Sequence, residues 1–268
     1  MLTTLVYLVL YAGGMVFLAG SVIRAVGYAK QPIHLRWEIY PVPKGTSGQL
    51  RVMVPEMLFL KGLHEFNRSL WYISYPFHLG LYLIAAAAAL TVFSLSTPAG
   101  VAGITGLVLV LAGSLGLLVR RLSNRTLKIY TTAGDILNLG WFAATAALLL
   151  AGYLWRPAGS AGPLAILGGA VTFDTTLRPA PLLAAGLISG ALLLAYIPMT
   201  HMAHFIAKYF TYHQVRWDER ANVPGGSIER RMAEYLMYRP TWSAPHVAAG
   251  GRTWAEIAAS NPAKGAAK

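Results

Sequence analysis

The sequence predicts an all-α membrane protein with five transmembrane helices. Of its 268 residues, 56% are hydrophobic and only 12% are charged, whereas a soluble domain carries about 25% charged residues. The apolar residues gather in five segments near the ~20 residues that a helix needs to cross the hydrocarbon core of a bilayer. These segments are approximately 4–26, 77–95, 101–119, 136–154 and 181–206.

Prolines and flanking charges refine the five segments. No basic residue precedes the first apolar run, whereas a cleaved signal peptide starts with a positive region, so we expect a retained first helix. Pro76 and Pro181 lie where helices two and five are expected to begin, and a proline in the first turn costs no hydrogen bond. Pro198 lies inside the fifth segment and predicts a kink.

The connections between the segments alternate in charge. The 24–69 stretch has seven basic residues against three acids, 120–135 has four against one, and the part after residue 206 has nine against five. The connection 96–100 has no charge, and 155–180 has two basic residues and one acid. Because basic loops stay in the cytoplasm, we expect the N-terminus outside and the C-terminus cytoplasmic, in the inner (cytoplasmic) membrane.

Two further segments lie outside the predicted spans. Apolar residues recur at helical spacing between 55 and 73, which predicts an amphipathic helix in the membrane interface. We therefore assign 1–215 to a membrane domain. Residues 216–268 form a cytoplasmic tail, which we expect to be partly disordered or bound to a partner.

Composition also limits the chemistry of the chain. The formal net charge is +12, but the basic residues flank apolar segments, so we expect lipid headgroups and a docked protein as partners rather than nucleic acid. The chain has no cysteine, which excludes cysteine-ligated iron–sulfur clusters, attached c-type haem and disulfides. Any redox cofactor is then held by His, Met or non-covalent contacts.

Histidines are the main ionisable residues expected inside the membrane, where such residues are usually functional. His78 on helix two and His201 and His204 on helix five are predicted at one depth, which suits an axial pair on a haem. His201 and His204 are about 60° apart on a regular helix, so only one of them can pair with His78. His64 lies on the amphipathic segment.

The histidines are also compatible with other functions. Each of them alone is compatible with an interfacial or hydrogen-bonding role. A haem-free anchor for a soluble redox enzyme is one alternative function, and a small transporter with a histidine proton path is another. The transporter predicts acids within several helices, yet only Asp135, near an interface, qualifies.

Two motifs carry a family resemblance. The string PFHLGLYL on helix two and the string IPMTHMAHFIAKYFTYHQVRWDE at the end of helix five resemble the gamma-subunit family of respiratory nitrate reductases. Pro198, Thr200 and His204 match the family's Pro–x–Ser/Thr–x–x–x–His. The segments PIHLRWEIYPVP and PEMLFLKGLHEFNRSLWY resemble a branch whose cytochrome b serves an iron–sulfur protein similar to heterodisulfide reductase. The resemblance covers residues 1 to about 220.

The resemblance implies a haem b subunit that transfers electrons between a membrane quinone and a cytoplasmic iron–sulfur subunit. Substrate conversion would belong to another polypeptide. The family's cytoplasmic-side haem ligands map onto His78 and His204. Its outer ligands map near Ala88 and onto Gly186, so the outer haem is expected to be lost, or moved to a pair such as His64 and His201.

The remaining candidate residues follow from the expected depth of the haem. A quinone site is expected close to it, with His201, His64 and Asn138 as polar groups near the cytoplasmic end of the bundle. Basic residues at that end are candidates to pair with haem propionates. They are Arg68, Arg120, Arg121, Arg125 and Lys208.

Overall fold

The computed structural model describes residues 1–31, 43, 45–217, 224–242 and 250–260. The described chain forms two compact units: one comprises Met1–Val26 and Lys44–Lys208, the other Gly27–Pro43 and Tyr209–Lys268. Most of the PIHLRWEIYPVP segment and parts of the predicted tail lie outside the described residues.

The first unit contains five membrane-spanning helices, which confirms the predicted fold class. They are α1 (Leu2–Ala29), α4 (Arg68–Val92), α5 (Ser96–Ser123), α7 (Ala133–Leu154) and α9 (Pro181–Tyr196). Shorter helices lie between them: α2 (Gly45–Leu58), α3 (Lys61–Phe66), α6 (Arg125–Ile129) and α8 (Pro163–Thr172). Many large apolar side chains on the spans are exposed, as expected for a multi-pass protein in contact with membrane lipid.

Glycines allow α4 and α5 to pack closely. A Cβ on Gly113 would lie 2.6 Å from the Cβ of Phe77, and one on Gly80 would lie 2.7 Å from the carbonyl oxygen of Gly106. Small residues let helix backbones approach in this way, which is how membrane helices gain packing energy without a hydrophobic drive. The close contact with α5 therefore fixes the position of the α4 backbone that carries His78.

Helices α7 and α9 pack through small and polar residues. A Cβ on Gly152 would lie 2.6 Å from the Cα of Leu183. Deeper in the bundle, Trp141 Nε1 donates to Ser189 Oγ at 3.0 Å, and Thr145 Oγ1 lies 2.7 Å from the same oxygen. These hydrogen bonds satisfy polar groups that lipid could not satisfy.

Helix α1 runs alongside α9 and begins against the connection that follows α8. Tyr7 OH donates to the carbonyl of Asp174 at 2.9 Å, and Thr3 Oγ1 donates to that of Leu177 at 2.6 Å. Further along α1, Gly20 lies under the ring of Pro198. The half-length helix α8 was not predicted, because its ten residues are too few to span a bilayer.

The start of the second span differs from the prediction. We expected one amphipathic helix over 55–73 and a span beginning at Phe77, but the chain breaks at Leu60, where φ is 53°, and again at Asn67. The Asn67 side chain accepts from Leu70 N and starts α4 there. Pro76 is therefore inside α4, and His78 lies in its third turn.

The fifth span is broken rather than kinked. Regular α-helix ends at Tyr196, and two 3-10 turns follow, Ile197–Met199 and His201–Ala203. Thr200 is extended, with φ −122° and ψ 180°, and its side chain accepts from Met202 N. A new helix, α10 (His204–Phe210), then begins. The prediction placed His201 and His204 on one α-helix, whereas His201 lies in a 3-10 turn and His204 begins α10.

In the second unit, α10 continues into a π-helical turn, Thr211–Arg216, and two short helices follow, α11 (Ser227–Leu236) and α12 (Trp254–Ala259). A capping box between Thr253 and Glu256 begins α12, and Trp254 N donates to the carbonyl of Tyr238 at 3.0 Å. Part of the predicted tail is therefore folded.

Candidate functional site

A cavity of about 280 Å³ lies in the first unit, at the end of the bundle where α4 and α7 begin and α5 ends. We call this end the site end. Apolar side chains form much of the wall: Leu70, Phe77, Leu117, Leu127, Leu139, Phe142 and Met202. The polar residues that line it include six of the ten predicted site residues: His78, His201, His204, Asn138, Arg120 and Arg121.

His78 is oriented by its own helix. Its Nδ1 lies 2.7 Å from the carbonyl oxygen of Ser74, one turn earlier. An imidazole that donates from Nδ1 to a carbonyl leaves the lone pair of Nε2 free, which is the usual arrangement of a metal-ligating histidine. The Phe77 side chain beside it is buried against Phe142 of α7, with ring centroids 5.1 Å apart.

His204 is the first residue of α10 and is exposed on the open side of the cavity. Its Nδ1 lies 3.3 Å from the carbonyl oxygen of His201. The centroids of the His78 and His204 rings are 6.1 Å apart, and the ring planes are inclined by 67°. The two residues that the sequence paired are therefore brought together by the fold.

Asp135 is a site residue that sequence reasoning placed only at an interface. It lines the cavity, with Oδ1 3.6 Å from His201 Nε2 and Oδ2 3.6 Å from Arg121. Oδ2 also accepts from Thr132 N at 2.9 Å as part of the box that begins α7. The Thr-x-x-Asp spacing before an apolar run was the signal that could have identified it.

Asn138 contributes a buried amide one turn further along α7. The residue is 5% exposed, and within the described part of the chain its Oδ1 has no hydrogen-bond partner. A buried polar atom without a partner costs about 1–3 kcal/mol. A ligand in the cavity that supplies a donor would remove this cost.

Arg120 and Arg121 end α5 beside the cavity. Arg120 donates to the Ser69 carbonyl at 3.0 Å and to Ser69 Oγ at 2.9 Å, which joins the end of α5 to the start of α4. Its Nε is buried with no partner among the described residues. Arg121 faces Asp135. The cavity therefore offers cationic donors suited to a carboxylate.

Four predicted candidates do not line the cavity. His64 packs edge-on against Trp71, with centroids 4.9 Å apart. Arg68 and Arg125 are exposed. Lys208 Nζ instead lies 2.7 Å from Glu56 Oε1. All four residues belong to segments near the site end, but depth alone does not give the direction of a side chain.

The two positions that correspond to the family's outer haem ligands, Gly186 and the region of Ala88, lie outside the cavity. Gly186 is buried, and a Cβ there would lie 3.0 Å from the backbone nitrogen of Leu149 on α7. Ala88 is exposed on α4. Close packing of α7 and α9 at Gly186 leaves no room for an imidazole, because even one added carbon would displace backbone.

The cavity could hold a metal from two sides. With a metal–nitrogen bond of about 2 Å, two imidazoles on opposite faces of one metal have centroids about 6 Å apart. Among the described residues no three His, Asp or Glu side chains cluster in a way that could hold a metal ion.

No protein-family model matches the chain, and no curated protein is significantly similar to it. The assignment of the site therefore depends on its own residues.

Proposed function

We propose that the chain is the membrane-embedded haem b subunit of a redox complex and transfers electrons between a membrane quinone and a soluble iron–sulfur protein. The observation that carries the proposal is the proximity of two imidazoles that line the cavity at the site end: the ring centroids of His78 and His204 are 6.1 Å apart. The family resemblance of the same two histidines supports it.

The other residues of the cavity fit a haem. Its apolar wall suits the porphyrin faces, and Arg120 and Arg121 supply donors for two propionates. Ser74 and His201 offer carbonyls to the Nδ1 atoms of the two ligands, which directs each Nε2 away from its own backbone. When bound, haem iron supplies one-electron transfer.

Asn138 and His201 support a quinone site beside the proposed haem. The Asn138 oxygen can accept a hydrogen bond from a hydroquinone hydroxyl. The exposed His201 has its Nε2 3.6 Å from Asp135 Oδ1, so a small movement would bring the two atoms within hydrogen-bonding distance. A quinone here is close to the haem, and electron transfer weakens steeply with distance. We therefore place the electron and proton chemistry at one end of the bundle.

The surrounding charge favours a cytoplasmic site end. The loops at this end carry most of the basic residues of the membrane unit, whereas the opposite connections carry two basic residues and one acid. The positive-inside rule then directs the cavity toward the cytoplasm, where a soluble iron–sulfur partner would dock.

Replacement of either ligand tests the haem. We expect the reduced α-band to be lost in His78→Ala and in His204→Ala, because each removes one axial ligand. His64→Ala is the matched control, since His64 contacts Trp71 outside the cavity and should leave the band unchanged. A pyridine haemochrome assay gives the haem-to-protein ratio of each variant.

Two different results would contradict the haem proposal. An α-band of full intensity in both ligand variants would remove the assignment. Purified wild-type chain without any haem would instead favour the haem-free anchor.

A further inference from the structure

We infer that the Glu56–Lys208 ion pair is the positioning device that holds α10, and with it His204, against the cavity. The inference deepens the proposed function and rests on it for the identity of the bound group. Neither residue lines the cavity: Lys208 was expected at a propionate, and its Nζ lies instead 2.7 Å from Glu56 Oε1 of α2. Both residues therefore act through His204.

The need for such a device comes from the break after α9. His78 lies within a continuous helix of 25 residues whose backbone is packed against α5. His204 follows an extended residue and two 3-10 turns, so the rigid part of the fifth span ends eight residues before it. The hydrogen-bonded ladder of α9 does not reach His204, and its position depends on contacts made by α10 and the break.

Lys208 is well placed to supply that contact. It is four residues after His204 on α10, and side chains four apart lie on one face of a helix. Its Nζ lies 2.7 Å from Glu56 Oε1, a charge-assisted hydrogen bond. Glu56 is itself fixed, because its other oxygen accepts from Gly62 N at 2.7 Å across the turn between α2 and α3.

Other contacts act on the same segment from α1, among them the rings of Tyr28 and Phe210, with centroids 5.6 Å apart. Arg24 Nε donates to the carbonyl of Pro198 at 2.8 Å, and Phe17 stacks on Phe205 with centroids 6.3 Å apart. The Arg24 contact lies on the far side of the extended Thr200, and the Phe205 contact is apolar and non-directional. The ion pair is therefore a directional link between α10 itself and α2.

Burial separates this pair from an ordinary surface pair. The Lys208 and Glu56 side chains are 38% and 19% exposed, whereas Lys61 and Glu65 on α3 form a pair at 3.6 Å with 59% and 49% exposure. Exposed pairs contribute little because water screens them. The Lys61–Glu65 pair is thus a matched control within the same chain, with the same charges and near the same end.

Charge reversal tests the inference. In the haem-loaded protein we expect Lys208→Glu and Glu56→Lys each to accelerate haem loss to an apoprotein acceptor by roughly tenfold, which corresponds to about 1.4 kcal/mol. The double reversal, which restores the pair, should return the rate to within about threefold of wild type. The two single reversals and the double reversal at Lys61 and Glu65 should each change it by less than about twofold.

A conservative variant and a haem-free readout complete the test. Glu56→Gln keeps the acceptor for Gly62 N and removes only the charge, so we expect an intermediate rate. In haem-free protein, Phe205→Cys in the otherwise cysteine-free chain should react faster with a maleimide when Lys208 is reversed, and slowly again in the double reversal.

The outcomes separate the inference from the proposed function. Unchanged haem loss and unchanged labelling in both single reversals would overturn the positioning role, as would a double reversal that is worse than either single. If wild type binds no haem, the proposed function fails, and the labelling rates alone decide whether the pair holds α10.

Discussion

Asn138 and His201 are two of the four polar residues of the cavity that are neither proposed haem ligands nor cationic; the others are Ser74 and Asp135. Asn138 is 5% exposed with an oxygen that lacks a partner in the described chain, whereas the side chain of His201 is 66% exposed and faces Asp135. A fold that keeps an unsatisfied buried atom trades stability for binding. Single-residue substitutions can separate these two properties.

We expect Asn138→Leu to raise stability and weaken quinone chemistry. The substitution removes the unsatisfied oxygen at similar volume, so the free energy of unfolding of ligand-free protein should rise by about 1–3 kcal/mol. Haem reduction by quinol should slow while the haem spectrum is kept. Thr145→Val is the control: Thr145 is buried and hydrogen-bonded to Ser189, so its loss should lower stability. A destabilised Asn138→Leu with normal quinol kinetics would contradict both assignments.

His201→Ala distinguishes three roles for this histidine. We expect an intact haem spectrum with slowed reduction by quinol, because the imidazole can form a hydrogen bond with the quinone. Haem content and quinol-dependent reduction are measured separately. Loss of half the haem would identify His201 as the ligand of a second haem. Normal content with normal kinetics would leave it structural.

At the scale of elements, the contact of α4 with α5 determines where His78 lies. Phe77 packs directly on Gly113, so the backbone at His78 is set by the absence of a side chain on α5. The glycines of α5 and the PFHLGLYL string of α4 are visible in the sequence, but the register in which the two helices pack is not. Register depends on which glycine meets which bulky neighbour, and this is decided by packing between helices.

We expect Gly113→Ala to lower both stability and haem content. The added Cβ would lie 2.6–2.8 Å from Phe77 Cβ and Cα, so α4 must shift, at a cost of about 1–3 kcal/mol. Gly140→Ala on α7 is the matched control, since its Cβ meets nothing within 4 Å and alanine favours helix by up to ~1 kcal/mol. Thermal unfolding in detergent and the haem-to-protein ratio measure the two effects. Equal behaviour of the two variants would show that this contact does not position His78.

At the scale of the whole molecule, the distribution of charge predicts the orientation in the membrane. Because the chain has no cysteine, single cysteines report exposure on one side without background. Thr126 at the site end and Ala158 at the opposite end are both exposed. We expect an impermeant maleimide added to intact cells to label Ala158→Cys and to leave Thr126→Cys unlabelled. Labelling of only Thr126→Cys would invert the orientation and move the proposed partner to the other side.

The second unit is the expected dock for the soluble partner. It carries folded pieces, α11 and α12, and exposed large side chains including Met232, Tyr238 and Trp242. We expect truncation after Tyr212 to abolish co-purification of the iron–sulfur partner while the haem spectrum is kept, because the cavity belongs to the first unit. Affinity purification from membranes tests this. Full recovery of every partner with the truncated chain would exclude the tail as the dock.

The sequence alone determined the class of the protein and the neighbourhood of its site. Five apolar segments of sufficient length require spanning helices, because a bilayer offers no partner for an unpaired backbone. The same hydropathy predicted one depth for His78, His201 and His204, and the family resemblance selected His204 as the partner of His78.

Only the tertiary structure decided the direction of the side chains and the ends of the helices. Hydropathy does not distinguish a kinked helix from the broken one at Thr200, nor does it show that Lys208 turns to Glu56 and that Asp135 and Asn138 face the cavity. These features depend on hydrogen bonds and contacts between residues far apart in the chain, such as Arg24 with Pro198. Periodicity reports the environment of a helix face, whereas a binding site is made by the few atoms that several helices bring together.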